Sequence, residues 1–320
     1  MLITKKGIGF LSILLVVISS LSWGGEVVDI GKAGMGARVL GMGKAFVGIA
    51  DDCNSLFANP AGLAKVQKIE LVSMKTSLMG DVDYLMAGGS FPMEIGTIAV
   101  GYISGGVDGI VLTTLSNGRP AAGNSISYSD KEILVGYGVE VGSLLGGILD
   151  GKLYGGTTLK LLVKEAGSEG NGSGYGLDLG LLYEPTTAFA LGISQRNIGS
   201  QVNWKSGASD EVAGITVLGM KLDLGKVLLG LDAELAKATA PLLMHGGMEW
   251  KAMDYLALRA GLDQLPAPAS DGSTQKATAS NSLTLGVGLN LFGVQIDYAH
   301  HPYYDETENT TQFVSVGYSK

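Results

Sequence analysis

Cysteine is nearly absent. Cys53 stands alone, which excludes an intramolecular disulfide, a two-cysteine redox motif and a cysteine-rich zinc site. Charge is scarce as well. Asp, Glu, Lys and Arg make up 16% of the 320 residues, against about 25% in an ordinary soluble domain, so the chain lacks the polar coat that such a surface carries. Basic residues are outnumbered, 22 against 30 acidic, for a net charge of −8. That balance tells against nucleic acid as a partner, because phosphate binding needs clustered Lys and Arg. Proline occurs only 8 times and the glycines follow no three-residue period, which excludes collagen and Pro/Gly-rich disorder. Beyond the N-terminus no uninterrupted apolar run reaches the ~18 residues of a spanning helix. The best stretch, 212–231, is broken by Lys221, Asp223 and Lys226.

What is present points elsewhere. Hydrophobic residues reach 46% and glycine 50 of 320, more than twice its usual share of ~7%, and mean hydropathy is +0.29. Residues 1–24 have the layout of a cleaved secretory signal. Lys5 and Lys6 precede an apolar stretch from Ile8 to Ile18, and Ser19, Ser20, Ser22, Gly24 and Gly25 follow. Cleavage is expected between Ser22 and Gly25, and no cysteine lies there to carry a lipid anchor. An exported, hydropathic chain without a spanning helix is either a very apolar secreted β-protein or a membrane β-barrel, the other structure that satisfies its whole backbone in lipid.

The period along the chain is two. Leu283, Leu285, Val287, Leu289 and Leu291 alternate with Thr284, Gly286, Gly288 and Asn290, and Tyr175, Leu177, Leu179, Leu181 and Tyr183 with Gly176, Asp178 and Gly180. Such alternation marks strands with one apolar face. Fourteen segments qualify: 68–79, 82–91, 95–104, 124–141, 151–164, 174–184, 187–198, 210–222, 225–235, 239–251, 254–263, 281–291, 293–301 and 310–320. Most come near the ~9–11 residues of a tilted membrane strand. Connections after even strands are tight, while those after odd strands, such as 105–123, 199–209, 264–280 and 302–309, are longer and polar, as in outer-membrane barrels. The 1–2 turn and segment 142–150 fit that rule poorly. Tyr183, Phe189, Trp250, Tyr255, Phe292 and Tyr318 all flank the tight turns, where an interfacial aromatic girdle belongs. The expected fold is therefore all-β: a transmembrane antiparallel barrel of about 14 strands over 67–320, with residues 25–66 as a plug in its lumen.

That N-terminal stretch invites a nucleotide-binding reading, which fails. No strand precedes its glycines, and Gly43-Lys44 is followed by Ala45 where a phosphate-binding loop needs Ser or Thr. Its order of motifs is Gly36-Ala37-Arg38, then Gly41-Met42-Gly43-Lys44-Ala45-Phe46, Ala50-Asp51-Asp52 and Asn59-Pro60-Ala61-Gly62-Leu63. In this the chain resembles the FadL superfamily of outer-membrane proteins, and more closely its PorV/PorQ branch. Weaker similarity runs through Gly176–Gly180, Gln195–Gly199, His245–Glu249, Leu258–Gly261 and Asp297–Ala299, nearly all of the mature chain. The resemblance implies a 14-stranded barrel blocked by an N-terminal hatch, inserted by the barrel-assembly machinery among outer-membrane lipids. The C-terminal Tyr318-Ser319-Lys320 departs from the terminal aromatic usual for that machinery.

No catalytic constellation emerges, and no cofactor or metal is implied. His300-His301 is read as opening a surface loop. Inward parity gathers Lys160, Asp178, Asp232, Glu234, His245, Glu249, Arg259 and Asp297, either a structural network or a substrate path. Asp51 and Asp52 are expected to meet Arg259 or Lys160 and hold the hatch shut, or else to cap turns within it. Gly41, Gly43, Asn59, Pro60 and Ala61 complete the hatch motif. The FadL side of the resemblance implies passage of a hydrophobic, fatty-acid-like molecule past the plug and out through a kinked strand wall, with Tyr102, Trp204, Tyr303 and Tyr304 available as loop lining. Against a strong hydrophobic collector stand Asp305, Glu306, Glu308 and Asn309 in the loops. The PorV side implies a shuttle that binds exported proteins in a secretion system.

Overall fold

The computed structural model describes residues 26–27, 29–32, 35–78, 82–116, 119–142, 150–167, 170–236, 241–267, 278–302 and 310–320. Residues 1–24, expected to be a secretory signal, and residues 303–309, expected to form a loop with Tyr303, Tyr304 and the acidic residues, lie outside them. Fourteen antiparallel strands close into a barrel: β1 Glu70–Leu78, β2 Val82–Met93, β3 Gly96–Ser116, β4 Arg119–Glu140, β5 Lys152–Ala166, β6 Gly172–Thr186, β7 Phe189–Trp204, β8 Ile215–Asp223, β9 Val227–Leu235, β10 Leu243–Met253, β11 Leu256–Ala267, β12 Thr278–Leu291, β13 Val294–Pro302 and β14 Thr310–Ser319. Each pairs with its neighbours in sequence, and β14 closes on β1 with Val316 opposite Ser73 and Val314 opposite Lys75. A short strand, Ser209–Val212, folds back onto the far end of β7, and Glu26–Val27 adds to it in parallel.

Alternation sorts the two faces. Outward positions are apolar and open, as with Leu283, Leu285, Val287, Leu289 and Leu291 on β12 and Leu218, Met220 and Leu222 on β8. Inward positions are small, polar or packed against the N-terminal segment. An apolar exterior around a polar interior is the arrangement a barrel in lipid requires. Tight connections gather at one end: 94–95, 187–188, 224–226, 254–255 and 292–293. The aromatic residues lie beside them. Phe292 is fully exposed in a left-handed turn (φ 56), and Trp250, Tyr255 and Tyr318 are more than two-fifths exposed.

The other end differs from the expected loops. Instead of a polar loop over 105–123, β3 and β4 run on to Ser116 and Arg119 as one long hairpin, whose strands stay paired from Thr97↔Gly138 to Ser116↔Arg119 with two register shifts. Its threonines and β-branched residues favour extended backbone. Likewise β7 continues to Trp204, and β11 and β12 extend into 264–280, to Ala267 and from Thr278. Tyr102 therefore belongs to a strand, not a loop, and the Trp204 indole nitrogen donates to Asp210 at 2.7 Å. The wall is uneven: β3 and β4 hold 21 and 22 residues, β8 and β9 only 9 each.

The apolar core is inside the barrel and is supplied by the N-terminal segment. Val39, Leu40, Met42, Phe46, Ile49, Leu56, Phe57 and Leu63 pack against Met74, Tyr84, Met86, Ile103, Leu134, Leu228 and Phe313 from the wall. The segment is built of short pieces, a five-residue helix Ala37–Gly41, a turn of helix Ser55–Ala58 and a 3₁₀ helix Pro60–Lys65. They are held by enclosure, since isolated helices this short are not stable in water.

Candidate functional site

The interface between this segment and the wall brings the sequence-derived residues together. Glycine makes the close fit possible. At Gly43 the backbone is left-handed (φ +59), and a β-carbon would lie 2.7 Å from the Leu262 backbone; at Gly156 on β5 it would lie 2.2 Å from the Pro60 carbonyl carbon. Only glycine lets main chain approach main chain this closely. Gly41 rests against Gly286, and its carbonyl accepts from the Thr284 hydroxyl at 3.2 Å. Asn59 works in three directions. Its side-chain oxygen accepts from the Ala61 amide, and its amide donates to the Val47 and Leu181 carbonyls. With Pro60 at its first position, the 3₁₀ helix starts with no missing donor.

Ion pairs pin the segment at separate points. Arg38 donates to Asp51 at 2.6 Å, to Asp52 at 2.6 Å and to Glu249 on β10 at 3.1 Å, and its guanidinium lies 5.4 Å from the Phe46 ring centre. Glu249 also accepts from Arg259 at 2.7 Å, and Arg259 donates to Asp297 at 2.6 Å. Asp51 and Asp52 thus meet Arg38 within their own segment, not Arg259 or Lys160. Arg259 joins only through Glu249. The reason is local: the turn 51–54 folds back over the helix that carries Arg38, and Asn54 adds to Asp52 from the same turn. Burial would push the Asp51 carboxyl up, but Arg38 holds it below its ordinary range. Asp52, facing Asp51 as well, is pushed above it, mainly by burial. Burial also lifts the Cys53 thiol to about 12.

A second anchor is Lys44, 3.2 Å from Asp263 on β11. Asp263 is fully buried and also meets His245 and His301, each at 2.7 Å. His301 is therefore an inward residue of β13, not the start of a surface loop, because β13 continues through Pro302 and places 301 on the same parity as Asp297. Asp232 on β9 takes the Phe46 and Val47 amides at 2.8 Å each. Glu184 accepts from Lys65 of the segment and Lys221 of β8, at 2.8 and 2.7 Å. Near the long-hairpin end, Asn197 sits in a left-handed bulge of β7 (φ 58). Its amide nitrogen donates to Asp29, its backbone to Asp178, and its side-chain oxygen accepts from Lys160, which also pairs with Asp178 at 3.0 Å. Glu234 pairs with Arg196 at 3.1 Å.

All eight inward residues named from parity therefore point into the interior, where each has a polar partner. Parity missed Arg38, Lys44, Asp263, His301 and Asn197. Asp263 is four positions beyond Arg259 and shares its parity, so alternation carried to the end of β11 would have found it. Arg38 and Lys44 stand in the glycine motif, where spacing says nothing of partners. Around Arg196 the cavities hold only about 20 and 10 Å³, room for water alone. At the tight-turn end a larger one of about 300 Å³ opens beside Arg38, Asp51, Tyr255, Arg259 and Asn290. No group of three or more His, Cys, Asp or Glu among the described residues has the geometry to hold a metal.

Fold and interior together define a class, a transmembrane barrel of fourteen antiparallel strands around its own N-terminal segment. Solved toluene transporters share that fold. The P. putida toluene transporter TodX superposes with a TM-score of 0.66 at 15% identity, over 91% of this chain and 99% of TodX. The Ralstonia pickettii toluene transporter TbuX gives 0.58 at 13%, over 92% and 99%. A Pseudomonas aeruginosa FadL homologue gives 0.54 at 10%, over 93% and 99%. No protein-family model and no curated protein matches the chain. At these identities the likeness is one of fold.

Proposed function

We propose that this protein is a FadL-type transporter of the bacterial outer membrane that binds a hydrophobic small molecule, fatty-acid-like or monoaromatic, and passes it inward, with residues 25–66 as the hatch. The observation that carries this reading is the end-to-end fold likeness to toluene transporters, which spans 91% of the chain. The packed, charged interior adds a condition: a hydrophobic molecule needs the hatch or the wall to yield, because the cavities around Arg196 hold only about 20 and 10 Å³. Growth or uptake on a radiolabelled long-chain fatty acid and on toluene, in a host deleted for its own transporters, tests it. Uptake restored by expression of this chain supports the reading, and the substrate restored identifies the class. Background uptake of both overturns it.

A second reading, the PorV-like shuttle that binds exported proteins, draws on one feature. The hairpin of β3 and β4 projects past its neighbours and leaves Ile110, Val111 and Leu112 exposed. Isolated two-stranded ribbons are marginal alone, and such a ribbon suits a protein partner. The PorV/PorQ resemblance belongs to this reading.

A further inference from the structure

Three wall residues that line one small void each keep a polar atom without a hydrogen bond. The cavity, about 20 Å³, lies where the N-terminal segment meets β7 to β10, and Arg196, Asp232, Glu234, His245 and Lys44 border it. Asp232 Oδ1, His245 Nε2 and Arg196 Nε are the unpaired atoms. Their residues are only 1%, 5% and 6% exposed, so bulk solvent does not serve them. Each residue is otherwise engaged. Asp232 Oδ2 takes the Phe46 and Val47 amides, His245 Nδ1 lies 2.7 Å from Asp263, and the Arg196 terminal nitrogen donates to Glu234 at 3.1 Å. A buried polar group left unpaired costs stability, and native interiors hold few of them. Three around one void point to an occupant.

Charge decides which. An anion would meet the Asp232 and Glu234 carboxylates, and a cation would meet the Arg196 guanidinium and the Lys44 ammonium. Water, both donor and acceptor, suits the mixed lining. Asp263 takes the Nδ1 proton of His245, so the neutral ring offers a lone pair at Nε2. Asp232 Oδ1 is a second acceptor and Arg196 Nε a donor. A water donating to the first two and accepting from the third makes three hydrogen bonds, the usual number for a buried water, and needs only ~10–15 Å³. Arg196 also borders the void of about 10 Å³, where no other lining residue has a buried unpaired side-chain atom. We propose that one water is bound between Asp232 Oδ1, His245 Nε2 and Arg196 Nε, as a fixed part of the seam between segment and wall. It joins β7 to β9 and β10. It also extends a run of bonds from His301 through Asp263 and His245 to Asp232, whose other oxygen holds the segment at Phe46 and Val47. The site rests on how the segment lies in the barrel, not on what passes it.

A crystal structure of the full-length protein, at a resolution that shows ordered solvent, tests the site. One water-sized peak should lie within about 3 Å of all three atoms. Crystals soaked in rubidium bromide should show no anomalous signal there. Absence of the peak, a peak that misses any of the three atoms, or a rubidium or bromide signal at that place overturns the proposal. Val217 is buried and borders the same void, so Val217→Ile adds a methyl's bulk where the water would sit. The variant should lose the peak, and its 29–66 stretch should be cleaved by protease about tenfold faster, because three groups lose their partner. Unchanged or slower cleavage would mean that filling the void costs nothing, and overturns the water's part in the seam.

Discussion

At the scale of single residues, Arg38 is the cation on which the inner network turns. It touches both acidic residues of the turn 51–54 and a wall carboxylate, Glu249. Removing it leaves three carboxylates facing one another in a poorly solvated place, and breaking a buried pair from one side costs on the order of 3 kcal/mol. Arg38→Ala should therefore lower the temperature at which the barrel loses its compact migration in detergent gels, and raise single-channel conductance. Arg259→Ala should do less, because Arg38 keeps Glu249 paired and Gln295 still donates to Asp297 at 2.7 Å. Equal effects of the two would show that the segment is not held through Arg38.

Among the elements, the strands were legible in the sequence and their outer ends were not. All fourteen stood out because alternation is written into each, as Leu283 to Leu291 shows on β12. The interval 105–123 read as a loop because Gly105, Gly106, Gly109 and Gly123 interrupt the pattern, yet backbone pairing across β3 and β4 does not need an apolar face. The bulge at Asn197 was illegible for a different reason. Its left-handed backbone is stabilised by Asp29, Lys160 and Asp178, contacts from three distant stretches. The interior was half legible: parity shows which side a residue faces, and partners are set by how the N-terminal segment lies against the wall. The long hairpin also separates the two functional readings. Deleting residues 108–126 and joining the strands with a short turn should leave the melting of the barrel nearly unchanged, since the described residues of that part pair in the sheet only with one another. Restored uptake by this variant would favour transport of a small molecule, and lost retention of an exported protein with uptake intact would favour the shuttle.

Taken as a whole, the molecule has its apolar core in the lumen and its charges arranged as anchors around it, so acid is expected to loosen the N-terminal segment. Asp29 is raised by burial but lowered further by Lys160, by the Asn197 hydrogen bond and by Arg196 and Lys32, so its carboxyl falls from 3.8 to about 2. Asp51 is held low by Arg38. A carboxyl depressed in the folded state stabilises it fully above the unfolded value and loses that contribution as pH falls through the folded one. Attachment of the N-terminal segment should thus hold down to about pH 4 and decline between about 4 and 2. Asp52 runs the other way, since its raised carboxyl takes up a proton earlier and relieves its repulsion with Asp51. Proteolysis of the 29–66 stretch, measured against pH with an acid-active protease, should show accelerated cleavage only in that lower window. Acceleration that begins well above that window would show that these two carboxyls do not hold the segment.

The seam between β14 and β1 fixes an order of events during biogenesis. The segment that fills the interior directly precedes β1, whereas the strand that seals β1 is β14, so Val316 meets Ser73 only after the thirteen strands before it have been delivered. Closing so distant a pair is slow, and until it happens the sheet is an open trough with its charged face uncovered. The filling is thus delivered before the wall that must hold it is closed. A chain stalled short of β14 would present to the cell's proteases an unsealed trough, with Arg38, Lys44 and their carboxylates exposed, and its lifetime should be set by how fast β14 arrives.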